Sequence, residues 1–122
     1  MKVLFVSTEV KPFSKTGGLA DVSFELPMAL KKAGIDVRVI TPKYADIPQT
    51  YRDSMIPLST FGVTVGWRNQ YCGLQYLCHE GLPVYFIDNE YYFKRPGCYG
   101  FYDDGERFAY FCRAVMESVK HM

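Results

Sequence analysis

The chain has 122 residues, of which 48% are hydrophobic and 22% charged, and this length and composition are those of one globular domain. The formal net charge of +1 gives no electrostatic basis for binding nucleic acid or a membrane surface. Four cysteines without C-x-x-C spacing and two isolated histidines do not form a zinc-site pattern, so we expect no metal and no cofactor.

The amino-terminal sequence predicts a strand followed by an amphipathic helix. Residues 2–7 form a short continuous apolar run, which is typical of a central parallel strand. Residues 17–33 carry apolar side chains at spacings of three and four, so the pattern predicts a helix with one buried face. The residues assigned to this face are Leu19, Val22, Leu26, Leu30 and Ala33.

A lysine and two glycines lie between this strand and this helix, in the order Lys15-Thr16-Gly17-Gly18. Bare backbone at Gly17 and Gly18 lets a ligand approach, and the free N–H groups and positive dipole end of a helix favour an anion. Lys15 adds a mobile cation, so a phosphate-bearing ligand is one interpretation. The other is an ordinary turn with a solvated lysine, and the residues alone do not decide between the two.

Two common nucleotide-binding motifs are absent here. The lysine precedes the glycines, whereas in the Walker pattern a lysine and a hydroxyl residue follow the last glycine. The chain has no G-x-G-x-x-G, and the second predicted strand ends at residues 40–42 without an acid that would hold a ribose. The sequence therefore argues against a nicotinamide dehydrogenase.

Residues 8–16 follow the carboxyl end of the first strand, which is where ligands bind in open α/β sheets. The acid in this loop, Glu9, has two interpretations. Its carboxylate either accepts hydrogen bonds from sugar hydroxyls or forms an ion pair with Lys11, and both remain open at this point.

The middle of the chain predicts further strands around a surface excursion. Residues 43–57 contain several helix- and strand-breaking positions and predict a surface segment with one short helical turn. Two alternating runs rich in β-branched residues flank residues 66–69 and predict an antiparallel hairpin. The predicted strands are residues 36–41, 58–65, 71–78 and 82–88.

Residues 91–102 form a loop dense in aromatic and cationic side chains, again after the carboxyl end of a strand. It is either a packed cover over the sheet edge or part of a ligand surface. A last helix begins at Asp103 or Asp104, where Asp103 and Glu106 resemble a capping box. Its predicted face contains Phe108, Phe111, Cys112, Val115 and Val119.

The first residues lack the basic region, longer apolar core and cleavage site of a secretory leader. No apolar run approaches the ~20 residues of a membrane span. We therefore expect a cytoplasmic protein whose four cysteines are free thiols.

The amino-terminal motifs resemble those of bacterial glycogen synthases and plant starch synthases. The similarity is most specific over residues 2–22, which read K-V-L-F-V-S-T-E-V-K-P-F-S-K-T-G-G-L-A-D-V. It continues in the segments L-P-M-A-L and G-I-D-V-R-V-I-T-P, and returns in P-V-Y-F-I-D, R-P-G and D-G-E-R-F. It covers nearly the whole chain and weakens only between about residues 45 and 82.

This resemblance implies an α/β fold, with a Rossmann-like, mainly parallel sheet and an inserted β-hairpin, in the amino-terminal domain of a GT-B glycosyltransferase. Enzymes of the family transfer glucose from ADP-glucose to the non-reducing end of an α-1,4-glucan with retention. They are several times longer than this chain. Residues 1–122 are therefore expected to be a partial amino-terminal domain without the nucleotide-binding domain or any catalytic residue, and inactive alone.

The resemblance also implies roles for six residues. In the family the K-T-G-G-L loop closes over the donor, so Lys15 is expected to contact ADP-glucose and the backbones of Gly17 and Gly18 to approach it. Asp21 is expected to support the loop or the sugar. The remaining two are Glu9, assigned to the donor site, and Tyr99, assigned to the glucan acceptor.

Two other functions remain open from the sequence. One is a GT-B glycosyltransferase that uses a UDP-sugar or sucrose, and the other is a non-catalytic half-domain that binds glucan. A parallel sheet that stops early also exposes an edge and an apolar helix face, which favours self-association of the chain.

Overall fold

A five-stranded sheet with the strand order β1-β2-β5-β4-β3 forms the centre of the computed structural model, which describes all residues 1–122. The α/β class expected from the sequence is confirmed. None of the helices has both the length and the apolar character needed to cross a bilayer. The strands are β1 (Lys2–Val6), β2 (Asp36–Pro42), β3 (Ile56–Val65), β4 (Arg68–His79) and β5 (Leu82–Asp88), and the helices are α1 (Gly18–Lys32), α2 (Gln49–Ser54), α3 (Glu90–Phe93) and α4 (Asp104–Ser118), followed by a 3₁₀ turn at Val119–His121.

Strands β1, β2 and β5 are parallel, so their carboxyl ends meet at one edge of the sheet. Val3 lies opposite Val37 in the β1–β2 pair, and Val39 lies opposite Val84 in the β2–β5 pair. The loops that follow β1 and β5 therefore emerge side by side. This edge, called the carboxyl edge below, carries the predicted site.

The position of β1 differs from the prediction of a central strand. It pairs only with β2, and none of its residues is fully buried. A continuous apolar run indicates burial on both faces, but it contains no signal for the number of neighbouring strands. Within residues 1–122, β1 is the outer strand of the sheet.

The buried face of α1 was also predicted wrongly. Three residues of the predicted face, Leu19, Val22 and Leu26, are 44–52% exposed, and the side chains that are buried belong to Ala20, Ser23 and Pro27. The reason is that α1 lies over β2 rather than over the edge strand β1. Small residues allow this close approach, while the larger apolar side chains lie beyond the edge of the sheet that residues 1–122 form.

The segment before β3 is more buried than a surface excursion. It contains the predicted short helix, α2, but Tyr44 and Ile47 are almost fully buried in the core. The Tyr44 hydroxyl donates to the carbonyl oxygen of Thr8 at 2.7 Å. Through this hydrogen bond, the segment before β3 supports the loop that follows β1.

The predicted hairpin is confirmed, with longer strands than the alternation indicated. β3 and β4 are joined at Gly66 and Trp67, and Gly66 has φ +60°, which glycine adopts without strain. In the β4–β5 pair Gly73 lies opposite Asp88, the last residue of β5. Since β4 begins at Arg68, the hairpin extends roughly 17 Å beyond the end of β5, at ~3.4 Å per residue.

The capping box predicted for α4 does not form. The carboxylate of Asp103 pairs with the Arg95 guanidinium at 2.9 Å, and Glu106 accepts from the Tyr92 hydroxyl. Asp104 instead accepts the backbone N–H groups of Gly100 and Phe101. The acids at the start of α4 therefore hold the preceding loop rather than cap the helix. Phe111 and Val115 are buried as predicted, while Cys112 and Val119 are exposed.

Arg107 is the largest fully buried side chain and lies on the inner face of α4. Its guanidinium donates to the carbonyl oxygens of Tyr92 at 2.7 Å and Cys98 at 3.0 Å, and to Asp104 at 2.8 Å. One side chain thus connects α3, the loop after it and the start of α4.

We predict that Arg107→Ala lowers the free energy of unfolding by about 3 kcal/mol or more, because it leaves a carboxylate and two carbonyl groups without their charged partner. Urea denaturation at neutral pH measures this. Arg113→Ala, which changes an exposed arginine on the same helix, is the control and is expected to have little effect. Equal stability of the two variants would contradict the structural role of Arg107.

Candidate functional site

The carboxylate of Glu9 organises the loop between β1 and α1. Glu9 is only 3% exposed. It accepts the backbone N–H and the hydroxyl of Thr16, each at 2.7 Å, and the N–H of Gly17 at 3.3 Å. The Tyr99 hydroxyl donates to it at 2.7 Å. Both carboxylate oxygens are therefore bonded within the chain, and the Glu9–Lys11 ion pair considered from the sequence is wrong.

These hydrogen bonds set the charge state of Glu9. Burial by itself raises the pKa of a carboxyl group, because the charged form loses hydration. The hydrogen bonds from Thr16, Tyr99 and Gly17 favour the ionised form and together outweigh burial, so the pKa of Glu9 lies below its usual value. Glu9 is consequently a carboxylate at neutral pH.

Tyr99 joins the loop after β5 to the loop after β1. Because its proton is given to the Glu9 carboxylate, the Thr8 hydroxyl is the donor in the 2.6 Å bond between Thr8 and Tyr99. Burial and the adjacent Glu9 charge raise the pKa of Tyr99 to about 12, so it stays protonated. The residue is still 40% exposed. Tyr99 thus lies against the loop between β1 and α1 and remains partly accessible to solvent.

Lys15 forms an exposed ion pair with Asp21 on the first turn of α1. The Lys15 ammonium lies 2.9 and 3.0 Å from the two Asp21 oxygens. The hydrogen bond from Lys15, with its charge, lowers the pKa of Asp21. The side chains are 51% and 41% exposed, so this pair is screened by water and is weak. Lys11 pairs instead with Glu25 at 2.9 Å.

The helix start beside Lys15 is open. Gly17 is the N-cap residue of α1, and no side chain caps the helix. A Cβ added at Gly17 or Gly18 would meet no atom within 4 Å, and the φ of −170° at Gly17 is extended backbone that any residue adopts. Nothing inside the chain therefore requires these glycines, and the space above them is free for a ligand.

The family model described as "Starch synthase catalytic domain" matches residues 2–122. The chain belongs to this family. Its members include glycogen synthases from Caldicellulosiruptor saccharolyticus and Clostridium acetobutylicum, which are 65% and 61% identical over all 122 residues.

The family members are longer than this chain. It spans about a quarter of the length of these curated relatives, 26% in each case. The catalytic domain of starch synthase IV from Arabidopsis thaliana, solved bound to ADP and acarbose, superposes with a TM-score of 0.88 at 32% identity. That match covers 98% of this chain and 25% of the other chain.

The structure brings the six residues predicted from the sequence to one end of the carboxyl edge. Glu9, Gly17 and Tyr99 form one hydrogen-bonded cluster, and Lys15 and Asp21 form an ion pair beside it. The cluster has further members that sequence reasoning missed, namely Thr8, Thr16 and Tyr44. Thr16 stands next to Gly17 in the sequence, but the partners of Thr8 and Tyr44 are distant in the chain, so no local pattern indicates them. The four cysteines are free thiols.

We predict that Glu9→Gln destabilises the chain at pH 7, because an amide replaces an ionised acceptor of several hydrogen bonds. Since the pKa of Glu9 is lowered in the folded state, its contribution is complete above the ordinary glutamate pKa and is lost as the pH falls through the folded value. The stability difference between Glu9→Gln and the parent is therefore expected to shrink as the solution is acidified.

Urea denaturation at several pH values between neutrality and acid measures this difference. Glu117→Gln, at a partly exposed glutamate near the end of α4, is the control. A difference between Glu9→Gln and the parent that stays constant with pH would contradict the assignment of an ionised, hydrogen-bonded Glu9.

Proposed function

We propose that this chain supplies the donor loop of a glucosyltransferase that transfers glucose from ADP-glucose to the non-reducing end of an α-1,4-glucan with retention. The observation that carries the proposal is the open, uncapped start of α1 at Gly17 and Gly18 beside the half-exposed ammonium of Lys15. The family supports it, and so does the structural relative that was solved bound to ADP and acarbose. The chain would contribute binding groups, with the catalytic residues and the nucleotide-binding domain of the GT-B architecture outside it.

The chemistry of glucosyl transfer explains why a cation and free N–H groups are useful here. The leaving group is a nucleoside diphosphate, and negative charge builds on it as the glycosidic bond breaks. Preorganised N–H groups and an ammonium ion stabilise that charge. A charge-assisted hydrogen bond of this kind contributes ~1.5–3 kcal/mol.

The ion pair of Lys15 with Asp21 gives these two residues a shared role. Lys15 is proposed to exchange Asp21 for a diphosphate oxygen when the donor binds. The exchange is inexpensive because the Lys15–Asp21 pair is half exposed. In the free protein, Asp21 holds Lys15 close to the loop. When the donor binds, Asp21 is released from Lys15 and supports the loop or the sugar.

Glu9 is proposed to shape the donor site from within the chain, and Tyr99 to shape it and to contact ligand. Glu9 fixes the conformation of Thr16 and Gly17, so that the backbone at the glycine pair is preorganised for the donor. Tyr99 is anchored by its hydroxyl while part of its ring faces solvent. This arrangement suits stacking against the glucan acceptor beside the donor glucose. We expect this chain to bind neither nucleic acid nor a membrane. We also propose that the enzyme is cytoplasmic and that the chain self-associates through the open edge of β1.

We predict that Lys15→Ala, made in the intact enzyme that contains this chain, raises the KM for ADP-glucose or lowers kcat at least about tenfold, as expected for the loss of ~1.4 kcal/mol or more. Initial-rate kinetics with glycogen as acceptor measure this. Lys120→Ala, at an exposed lysine beyond α4, is the matched control. Unchanged kinetics in Lys15→Ala, with the protein folded, would contradict the proposed donor contact.

We also predict that ADP-glucose is a better donor than UDP-glucose, and that unlabelled ADP-glucose suppresses transfer from labelled UDP-glucose. A competition assay with both sugars measures the preference. Preferential use of UDP-glucose would assign the chain to a different GT-B glycosyltransferase. Glucan binding without transfer from either donor, unaffected by Lys15→Ala, would indicate a non-catalytic glucan-binding domain.

A further inference from the structure

The segment from Arg95 to Asp103 connects the end of α3 with the start of α4, and its two ends are joined by an ion pair. We call this segment the arch. The Arg95 guanidinium donates to both oxygens of the Asp103 carboxylate, to one of them at 2.9 Å. The two side chains are 16% and 10% exposed, so water screens this bidentate pair less than the half-exposed pair of Lys15.

Arg95 is attached to α3 as well as to Asp103. Its Nε and one of its Nη atoms donate to the carbonyl oxygen of Tyr91 at 3.1 and 2.7 Å. The hydrogen bond from Arg95 also holds the pKa of Asp103 below its usual value, so the partner is a carboxylate at neutral pH. Each guanidinium nitrogen thus donates within the chain, and together these bonds hold the two ends of the arch side by side.

Two glycines on either side of Tyr99 shape the middle of the arch. Gly97 has φ +90° and Gly100 has φ +96°, values in the left-handed region that glycine adopts without strain. Between them lies Cys98, whose carbonyl oxygen accepts from the buried Arg107 at 3.0 Å. These turns and this anchor leave the Tyr99 side chain against the loop between β1 and α1, where its hydroxyl is hydrogen-bonded.

One series of contacts leads from the arch to the start of α1. The Tyr99 hydroxyl donates to the Glu9 carboxylate at 2.7 Å. The same carboxylate accepts the backbone N–H of Thr16 at 2.7 Å and that of Gly17 at 3.3 Å. A shift of the arch therefore moves a donor to Glu9, and Glu9 in turn holds the backbone N–H groups beside the glycine pair.

The ion pair at the ends of the arch keeps Tyr99 in place because it closes a flexible segment. A loop with free ends samples many conformations, and joining its ends removes most of them. A displacement of about 1 Å at a reacting site can cost about a hundredfold in rate. The effect of Arg95 on the site is therefore indirect, since every nitrogen of its guanidinium already donates within the chain.

We propose that Arg95 is a positioning residue for the donor site. It acts through the ion pair with Asp103, which holds the arch, and then through the hydrogen bond from Tyr99 to Glu9. This inference rests on the proposed function, because it takes the loop at Gly17 as the donor site. The backbone N–H groups of that loop stabilise charge on the leaving diphosphate only if they are held in position before the reaction.

Hydrogen exchange in the intact enzyme tests the structural part of this proposal without any ligand. Arg95→Lys keeps the positive charge but loses the bidentate geometry, and Asp103→Asn removes the charge of the partner. Both variants are expected to increase the exchange rate of the Thr16 and Gly17 amides at least about tenfold, measured by mass spectrometry on a peptide that contains them. Exchange in β2, at the centre of the parallel strands, is expected to stay unchanged.

The matched control is Arg38→Lys, which changes an arginine that lies 3.7 Å from Asp36 at the amino end of β2. This variant is expected to leave the exchange of the Thr16 and Gly17 amides unaltered. Faster exchange of β2 to the same extent as the loop in Arg95→Lys would show that Arg95 only supports the fold, and would overturn the proposal.

A double-mutant cycle in the intact enzyme tests the route from Arg95 to the donor site. Arg95→Lys and Tyr99→Phe are each expected to lower kcat/KM for ADP-glucose about tenfold. Because both changes release the same contact with Glu9, the double variant is expected to lose about tenfold as well, rather than about a hundredfold. Losses that multiply would show that Arg95 does not act through Tyr99.

The two measurements separate this inference from the proposed function. Unchanged exchange of the Thr16 and Gly17 amides in both Arg95→Lys and Asp103→Asn would overturn the role of Arg95 and leave the donor contact of Lys15 intact. Normal kinetics in Lys15→Ala, together with faster exchange in Arg95→Lys, would overturn the donor assignment and retain the positioning of the loop by Arg95.

Discussion

The hydrogen bonding of the Glu9 carboxylate is the constraint on which the carboxyl edge depends. A carboxylate that is almost completely buried is stable only if donors replace its water. Those donors come from two segments, Thr16 and Gly17 before α1 and Tyr99 after β5. Satisfying one buried charge therefore fixes two loops relative to each other, and with them the start of α1.

The rest of the edge is built by the same means. Arg107 holds α3 and the loop around Cys98 against α4, and Tyr44 supports the loop after β1 from below. Because these side chains are buried and polar, each position must be occupied by a group that satisfies its partners. Lys15 and its partner Asp21 lie outside this buried set and are about half exposed. The proposed donor contact therefore rests on one exposed cation beside a frame that buried hydrogen bonds hold in place.

The proposed donor loop lies where the parallel strands end together. The hairpin projects past this sheet edge because β4 continues about five residues beyond the end of β5. Each uses a glycine in a different way. Gly17 and Gly18 leave space above the backbone, whereas Gly73 gives its space to the Tyr71 ring.

The sequence by itself determined most of the elements and their kinds, because these depend on local pattern: the apolar run of β1, the period of α1, the hairpin around Gly66, and the glycine pair after Lys15. It missed the short helix α3, which lies in the segment predicted as a loop. It did not determine which face of α1 is buried, that β1 is an edge strand, or that Tyr44 is in the core. Tertiary structure alone decided these, and it also brought Glu9 to Tyr99 across 90 residues. Burial and long-range pairing depend on which neighbour is present, and local periodicity contains no information about that.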